Sequence, residues 1–188
     1  MREIKGYCDN MRVEPAGELT ATVGKYICSK IGMELVEGTY QALMVLNSKN
    51  DFVAGVVVAN FRSAGCEISC ASETSAAWRP QVMRAVFSYI FDQLGCVRVT
   101  AITTKSNKRA REFLERLGFV LEGNLRRGYD GRRDALLYGL LRDECRFLAD
   151  FEGSLNGQEY PPSANAARSD ADGTGSGPDE QGDGGSAS

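Results

Sequence analysis

The chain has 188 residues, with 22 Lys and Arg against 25 Asp and Glu, six cysteines and no histidine. That length suits one domain able to bury a core without disulfide or metal staples. Without histidine, neither a Ser-His-Asp or Cys-His hydrolase nor a histidine proton shuttle can be assembled. Acid and base chemistry therefore falls to Asp, Glu, Cys, Tyr, Lys or water.

The cysteines, Cys8, Cys28, Cys66, Cys70, Cys96 and Cys145, include no CxxC pair. Zinc sites usually rest on closely paired Cys or Cys/His sets, so the expectation is no metal and reduced, mostly buried thiols. No apolar run approaches the roughly 18–20 residues of a membrane span. The opening Met1-Arg2-Glu3-Ile4-Lys5-Gly6 has no apolar stretch behind its charges, so no signal peptide and a cytoplasmic protein are expected.

In chain order, residues 19–31 place Val23, Ile27 and Ile31 at helical spacing and stop at Gly32. Residues 39–46 and 52–61 are β-rich runs joined by Asn47-Ser48-Lys49-Asn50-Asp51, a turn composition. A short strand is predicted over 66–71. The strongest helix follows at 80–94, where Val82, Met83, Val86, Phe87, Ile90, Phe91 and Leu94 form one broad stripe ended by Gly95. Residues 96–104 alternate as a strand. Residues 107–117 form a second amphipathic helix, with Ala110, Phe113, Leu114 and Leu117 inward, closed by Gly118. Two last strands, 119–125 and 133–141, are linked through Gly128-Tyr129-Asp130-Gly131. Strands mixed with separated helices indicate an α/β or α+β domain around one sheet.

From residue 155 to 188 the composition shifts to Gly, Ser, Ala, Asp and Pro, with Glu159, Asp170, Asp172, Asp179, Glu180 and Asp183 against Arg168. The formal charge of −3 thus divides into about −5 for this tail and about +2 for the body. An acidic segment that poor in apolar residues is expected to be disordered, leaving a domain over 1–154.

The segment Asn107-Lys-Arg-Ala-Arg-Glu-Phe-Leu-Glu-Arg-Leu-Gly-Phe119, closing into Glu122-Gly123-Asn124-Leu125-Arg126, resembles the GCN5-related N-acetyltransferase (GNAT) superfamily and its N-x-x-A-x-x-[FL]-[YL]-x-x-x-G-F segment. The ordered likeness covers 52 to about 148 and is similar to the ribosomal-protein-acetylating branch. The runs GCEISCAS, FDQLGCVRVTAIT and LLRDECRFL look closest to short acetyltransferases carried by bacteriophages. The resemblance implies a mixed central sheet splayed in the middle, with helices on both faces. The splay would open between the 66–71 and 96–104 strands and take the pantetheine arm of acetyl-CoA against backbone groups of Ile68, Ser69 and Cys70. The pyrophosphate would sit at the N-terminus of the next helix.

There the sequence departs from the family. The usual Q/R-x-x-G-x-G/A loop falls on Thr74-Ser75-Ala76-Ala77-Trp78-Arg79, without its glycines. Two readings stay open. The small residues Ser75, Ala76 and Ala77, beside Trp78 and with Arg79 as an added donor, bind phosphate through available amides; or the site is degenerate. Ala77 needs no positive φ if the loop is remodelled, and Pro80 is well placed to start the helix. Trp78 packs on the core or flanks the cofactor.

The resemblance matches Glu67 to a glutamate that acts through water as the base; a plain carboxylate that pairs with an arginine or orients the substrate is the alternative. The family's tyrosine acid is Leu114 here, which leaves water, or Tyr129 or Tyr138, to protonate the thiolate. Cys70 reads either as the nucleophile of a ping-pong route or as a buried strand thiol, and direct attack in a ternary complex is the route expected. Asn107 fits a helix N-cap and, by resemblance, a cofactor contact. Arg126, Arg127, Arg132 and Arg133 flank the last turn, either as a nucleic-acid or acidic-substrate patch or as a solvated hairpin.

Two functions follow. One is an acetyl-CoA-dependent N-acetyltransferase whose acceptor is a protein N-terminus, a small amine or an amino-bearing modified nucleotide. The other is a catalytically silent module of the same fold that binds a partner through its basic hairpin.

Overall fold

The computed structural model describes residues 11–148; the 155–188 tail lies outside them. A seven-stranded sheet, in the order β1-β2-β3-β4-β5-β7-β6, organises these residues. Its strands are β1 (Arg12–Pro15), β2 (Gln41–Leu46), β3 (Phe52–Arg62), β4 (Gly65–Ser72), β5 (Arg98–Thr104), β6 (Val120–Leu125) and β7 (Ala135–Leu141). All neighbours run antiparallel except β4 and β5, which are parallel. The helices are α1 (Thr20–Ile31), α2 (Pro80–Ser88) and α3 (Lys108–Leu117). This is the mixed, helix-flanked sheet of the GNAT fold.

Side-chain alternation assigns the two faces. Ala54, Val56 and Val58 of β3, Val99 and Ala101 of β5, and Leu136, Tyr138 and Leu140 of β7 enter one core with Val82, Met83, Val86 and Phe87 of α2 and Leu114 and Leu117 of α3. Val57 and Ala59 point the other way, into a smaller core with Val23 and Ile27 of α1 and Tyr40. α1 packs over β2, β3 and β4. The remaining strands carry Val120, Leu125 and Leu141 exposed.

Two features differ from the sequence reading. β1, pairing Arg12–Pro15 with β2, was not expected; its RVEP sequence has no apolar alternation, and its Pro15 is tolerable only because the strand is at an edge. The helix expected over 80–94 is not one α-helix. After Ser88 it widens into a π-helical turn, Tyr89–Gln93, with Leu94 N–H donating to Tyr89 O at 2.9 Å. The wider turn keeps both Ile90 and Phe91 in the core, and Asp92, taking Ser88 Oγ at 2.7 Å and Arg142 Nη1 at 2.5 Å, ties it to the chain beyond β7.

Candidate functional site

β4 and β5 pair only at their beginnings, Gly65 with Arg98, Cys66 with Val99 and Glu67 with Thr100. Beyond that point β4 keeps its β3 partner while β5 stays with β7. Parting parallel strands leaves backbone groups of each unmatched along the opening. A cleft of about 670 Å³ fills the gap, with Ile68, Ser69, Cys70, Ala71 and Ser72 on one wall and Ala101, Ile102 and Thr103 on the other. The three strand residues expected from the sequence therefore stand together on the cleft.

The loop before α2 has a form the sequence did not suggest. Ser75–Ala77 makes a short 3-10 turn in which the N–H groups of Ala76, Ala77 and Trp78 donate to Thr74 Oγ1 (3.3 Å), Thr74 O (3.2 Å) and Ser75 O (3.3 Å). Three of the loop amides taken as available are thus engaged within the turn. No residue of the loop has positive φ, so the missing glycines cause no strain, and Pro80 opens α2 as expected. Ser75 and Trp78 line the cleft, but Ala76, Ala77 and Arg79 do not. Ala77 is fully buried in the larger core. Trp78 packs on Phe113 (5.7 Å between ring centres) and also forms cleft wall.

Asn107 caps α3, its Oδ1 accepting from Ala110 N–H at 3.1 Å, and it also lines the cleft. Leu114, at the position where the resemblance expects a tyrosine, lines the cleft. Of the two replacement hydroxyls, Tyr138 is buried in the core with its O–H on Glu115 Oε1 at 3.3 Å; burial and then the Glu115 charge raise its pKa. Tyr129 reaches the cleft and donates to Ile31 O at 2.9 Å, joining the β6–β7 turn to the end of α1. Burial pushes the Cys70 thiol up to about 12, so at neutral pH it is a thiol rather than a nucleophilic thiolate.

Glu67 stands at the last paired position of β4, half-buried and outside the cleft wall proper. Its neighbours Cys66, Ile68 and Cys70 pack on the α2–α3 side, so its side chain projects to the opposite face, next to Thr100. Its Oε2 accepts from Asn60 Nδ2 at 3.0 Å.

Sequence reasoning missed the cations of the cleft. Lys30, Arg109, Arg116 and Arg146 line it, and no Asp or Glu does among the described residues. Lys30 meets Glu73 at 3.0 Å beside the opening; Arg146 donates to Arg116 O and covers the Phe147 ring. Lys30 comes from α1 and Arg146 from beyond β7, so no local motif announces these two, while Arg109 and Arg116 come from α3. Two carboxylates, Asp130 and Asp134, stand within the arginine turn. Asp130 accepts from the N–H groups of Arg132 and Arg133 and from Arg133 Nε, bonds that hold its carboxyl down near 2. Asp134 accepts from Arg127 N–H at 2.8 Å.

Among the described residues no group of three His, Cys, Asp or Glu is placed to hold a metal ion, and no helix is long and apolar enough to cross a membrane. No family profile and no curated protein matches the sequence. Solved structures do match. The fold and the parted strands define the GNAT class of architecture, and mutant forms of the spermidine/spermine N-acetyltransferase SpeG from Vibrio cholerae share it. One superposes with a TM-score of 0.59 at 13% identity, covering 74% of this chain and 97% of that one. Another gives 0.57 at 16% identity over 70% and 93%, and a third 0.58 at 16% over 74% and 97%. At such identities the likeness is one of fold.

Proposed function

We propose that the protein is an acetyl-CoA-dependent N-acetyltransferase that transfers the acetyl group to a primary amine by direct attack in a ternary complex. The observation that carries this reading is the parting of β4 from β5 beyond Glu67, which opens an unpaired strand edge inside a cation-lined cleft. An extended pantetheine arm, itself a chain of amides, suits such an edge as an added strand would. The four cations, with no lining carboxylate, suit a polyanionic carrier. Ser75, Trp78 and Asn107 remain the cofactor contacts of this reading beside Ile68, Ser69 and Cys70.

In the reaction the amine nitrogen attacks the thioester carbonyl, the C–S bond breaks, and the amine proton passes to Glu67 directly or through a water. The thiolate takes its proton from water, since Leu114 offers none and the Tyr129 hydroxyl is engaged with Ile31. A thiol held protonated at Cys70 favours direct transfer over an acyl-enzyme. The similar Vibrio enzymes are named for spermidine and spermine. The acceptor of this reading is a protein N-terminus, a small amine or an amino-bearing nucleotide.

Calorimetry with acetyl-CoA tests the reading. Binding in the range of roughly 1 µM to 1 mM is expected; no heat at millimolar ligand leaves the silent binding module, which the engaged amides of residues 76–78 favour. Thiol release is then followed with spermidine, a dipeptide and an aminoalkyl-pyrimidine nucleotide. Glu67→Gln is expected to lower turnover by about 10²-fold or more with acetyl-CoA binding unchanged, and undiminished turnover would reject Glu67 as the base.

A further inference from the structure

β3 is regular against β4 as far as Ala59, which pairs with Glu67, and the next pair is Arg62 with Gly65. Two residues, Asn60 and Phe61, thus oppose the single Cys66, which makes a β-bulge. Asn60 sits in it with φ of +49°, a left-handed conformation that asparagine tolerates better than most residues. Without the bulge, the alternation would set position 60 opposite Cys66, whose side chain enters the α2–α3 core. With it, the exposed Asn60 side chain turns to the other face and its Nδ2 meets Glu67 Oε2 at 3.0 Å.

The position of this bond matters more than its strength. Glu67 is paired with Thr100 at the last rung before the strands part, and a half-buried glutamate has three side-chain torsions free to turn its carboxylate away from the opening. One oxygen held by an amide N–H restrains the carboxylate and leaves Oε1 as the acceptor for the incoming proton. A neutral donor does this without neutralising the base, as a lysine or arginine at the same place would.

We propose that Asn60 is a positioning residue for the transfer reaction, its bulged backbone serving to bring an amide donor onto the Glu67 carboxylate. The proposal rests on the reading of Glu67 as the base. Two variants separate the donor from the backbone. Asn60→Gly keeps the left-handed conformation at no steric cost and deletes the amide; Asn60→Asp keeps size and conformation but replaces the donor with a second carboxylate.

With acetyl-CoA and the best acceptor of the panel above, Asn60→Gly should lower kcat about tenfold or more, the scale on which a misplaced catalytic group reduces rate. KM for acetyl-CoA and the thermal midpoint should stay unchanged, and Asn60→Asp should be at least as impaired. In a Glu67→Gln background, Asn60→Gly should add no further loss, because the group it orients is gone. Wild-type kcat in both Asn60 variants while Glu67→Gln is impaired overturns the role of Asn60 and leaves Glu67 standing. So does a full, additive loss in the double variant. A silent Glu67→Gln overturns the base assignment, and the proposal with it.

Discussion

On one face of the sheet Phe87 stacks between Phe91 and Phe147, with Phe119 at 6.2 Å and Trp78 on Phe113 beyond. On the other face α1 comes close enough that glycines are required: a Cβ on Gly24 would lie 2.1 Å from the Tyr40 hydroxyl oxygen, and one on Gly55 would lie 2.9 Å from Val23. Bulky aromatic packing spans α2 and α3 across the sheet, whereas the close approach of α1 covers only β2, β3 and β4. The uncovered part begins beside Glu67, at Thr100 of β5 and the β7 residues paired with that strand. The difference teaches that packing is divided unequally between the faces. One is filled and holds the strands together beneath the opening, and the other is left half bare beside the point where they part.

The largest expected effect belongs to the filled face. Phe87 is fully buried among three aromatic rings, and Phe87→Ala should destabilise the fold by about 3–5 kcal/mol in urea unfolding. A smaller loss, below about 1 kcal/mol, would mean that α2 and Phe147 collapse into the space. On the other face, Gly24→Ala should cost about 1–3 kcal/mol, since the added methyl must displace the buried Tyr40 ring or lift α1. If that substitution is neutral, the close approach of α1 is not a constraint, and the contrast between the faces fails.

The filled face was also the legible one. The stripe from Val82 to Phe91 and the inward set Phe113, Leu114 and Leu117 are short-range periodicities, and the strands follow from alternation and turn residues. The splay and the cleft wall at Ile68, Ser69 and Cys70 came from family resemblance, not from periodicity, because nothing local in GCEISCAS says that one edge of β4 lacks a partner. Asn107 was legible twice, as a cap and as a motif position. Asn60 was not: within NFRSAG it looks like the ragged end of a strand, and its meaning depends on a bulge defined only by pairing with β4. Lys30 and Arg146 reach the cleft across more than a hundred residues of sequence, a relation that only tertiary packing creates. Ala77 was misplaced because the family glycine loop was mapped onto a segment that folds as a 3-10 turn.

The smallest expected effect lies on the half-bare face. There Arg98 of β5 and Glu122 of β6 form a two-pronged ion pair, with Nη1 to Oε1 at 2.8 Å and Nη2 to Oε2. The pair crosses above Gly139 of β7, where a Cβ would lie 2.3 Å from Glu122 Oε1 and 2.6 Å from Arg98 Nη2. The Arg98 hydrogen bonds hold the Glu122 carboxyl below its usual value of 4.5. A carboxyl lowered in the folded state stabilises above the unfolded value, and that stabilisation is lost as pH falls through the folded one. Both side chains are about one-third exposed, so solvent screening limits the pair to about 0–1 kcal/mol. Glu122→Gln should therefore be less stable than the natural chain by no more than about 1 kcal/mol at pH 7. The difference should narrow below pH 4.5 and disappear once the natural carboxyl is protonated. Urea unfolding of both chains across that range reads the difference directly. A gap that persists unchanged at low pH would show that Glu122 acts through packing over Gly139 rather than through its charge.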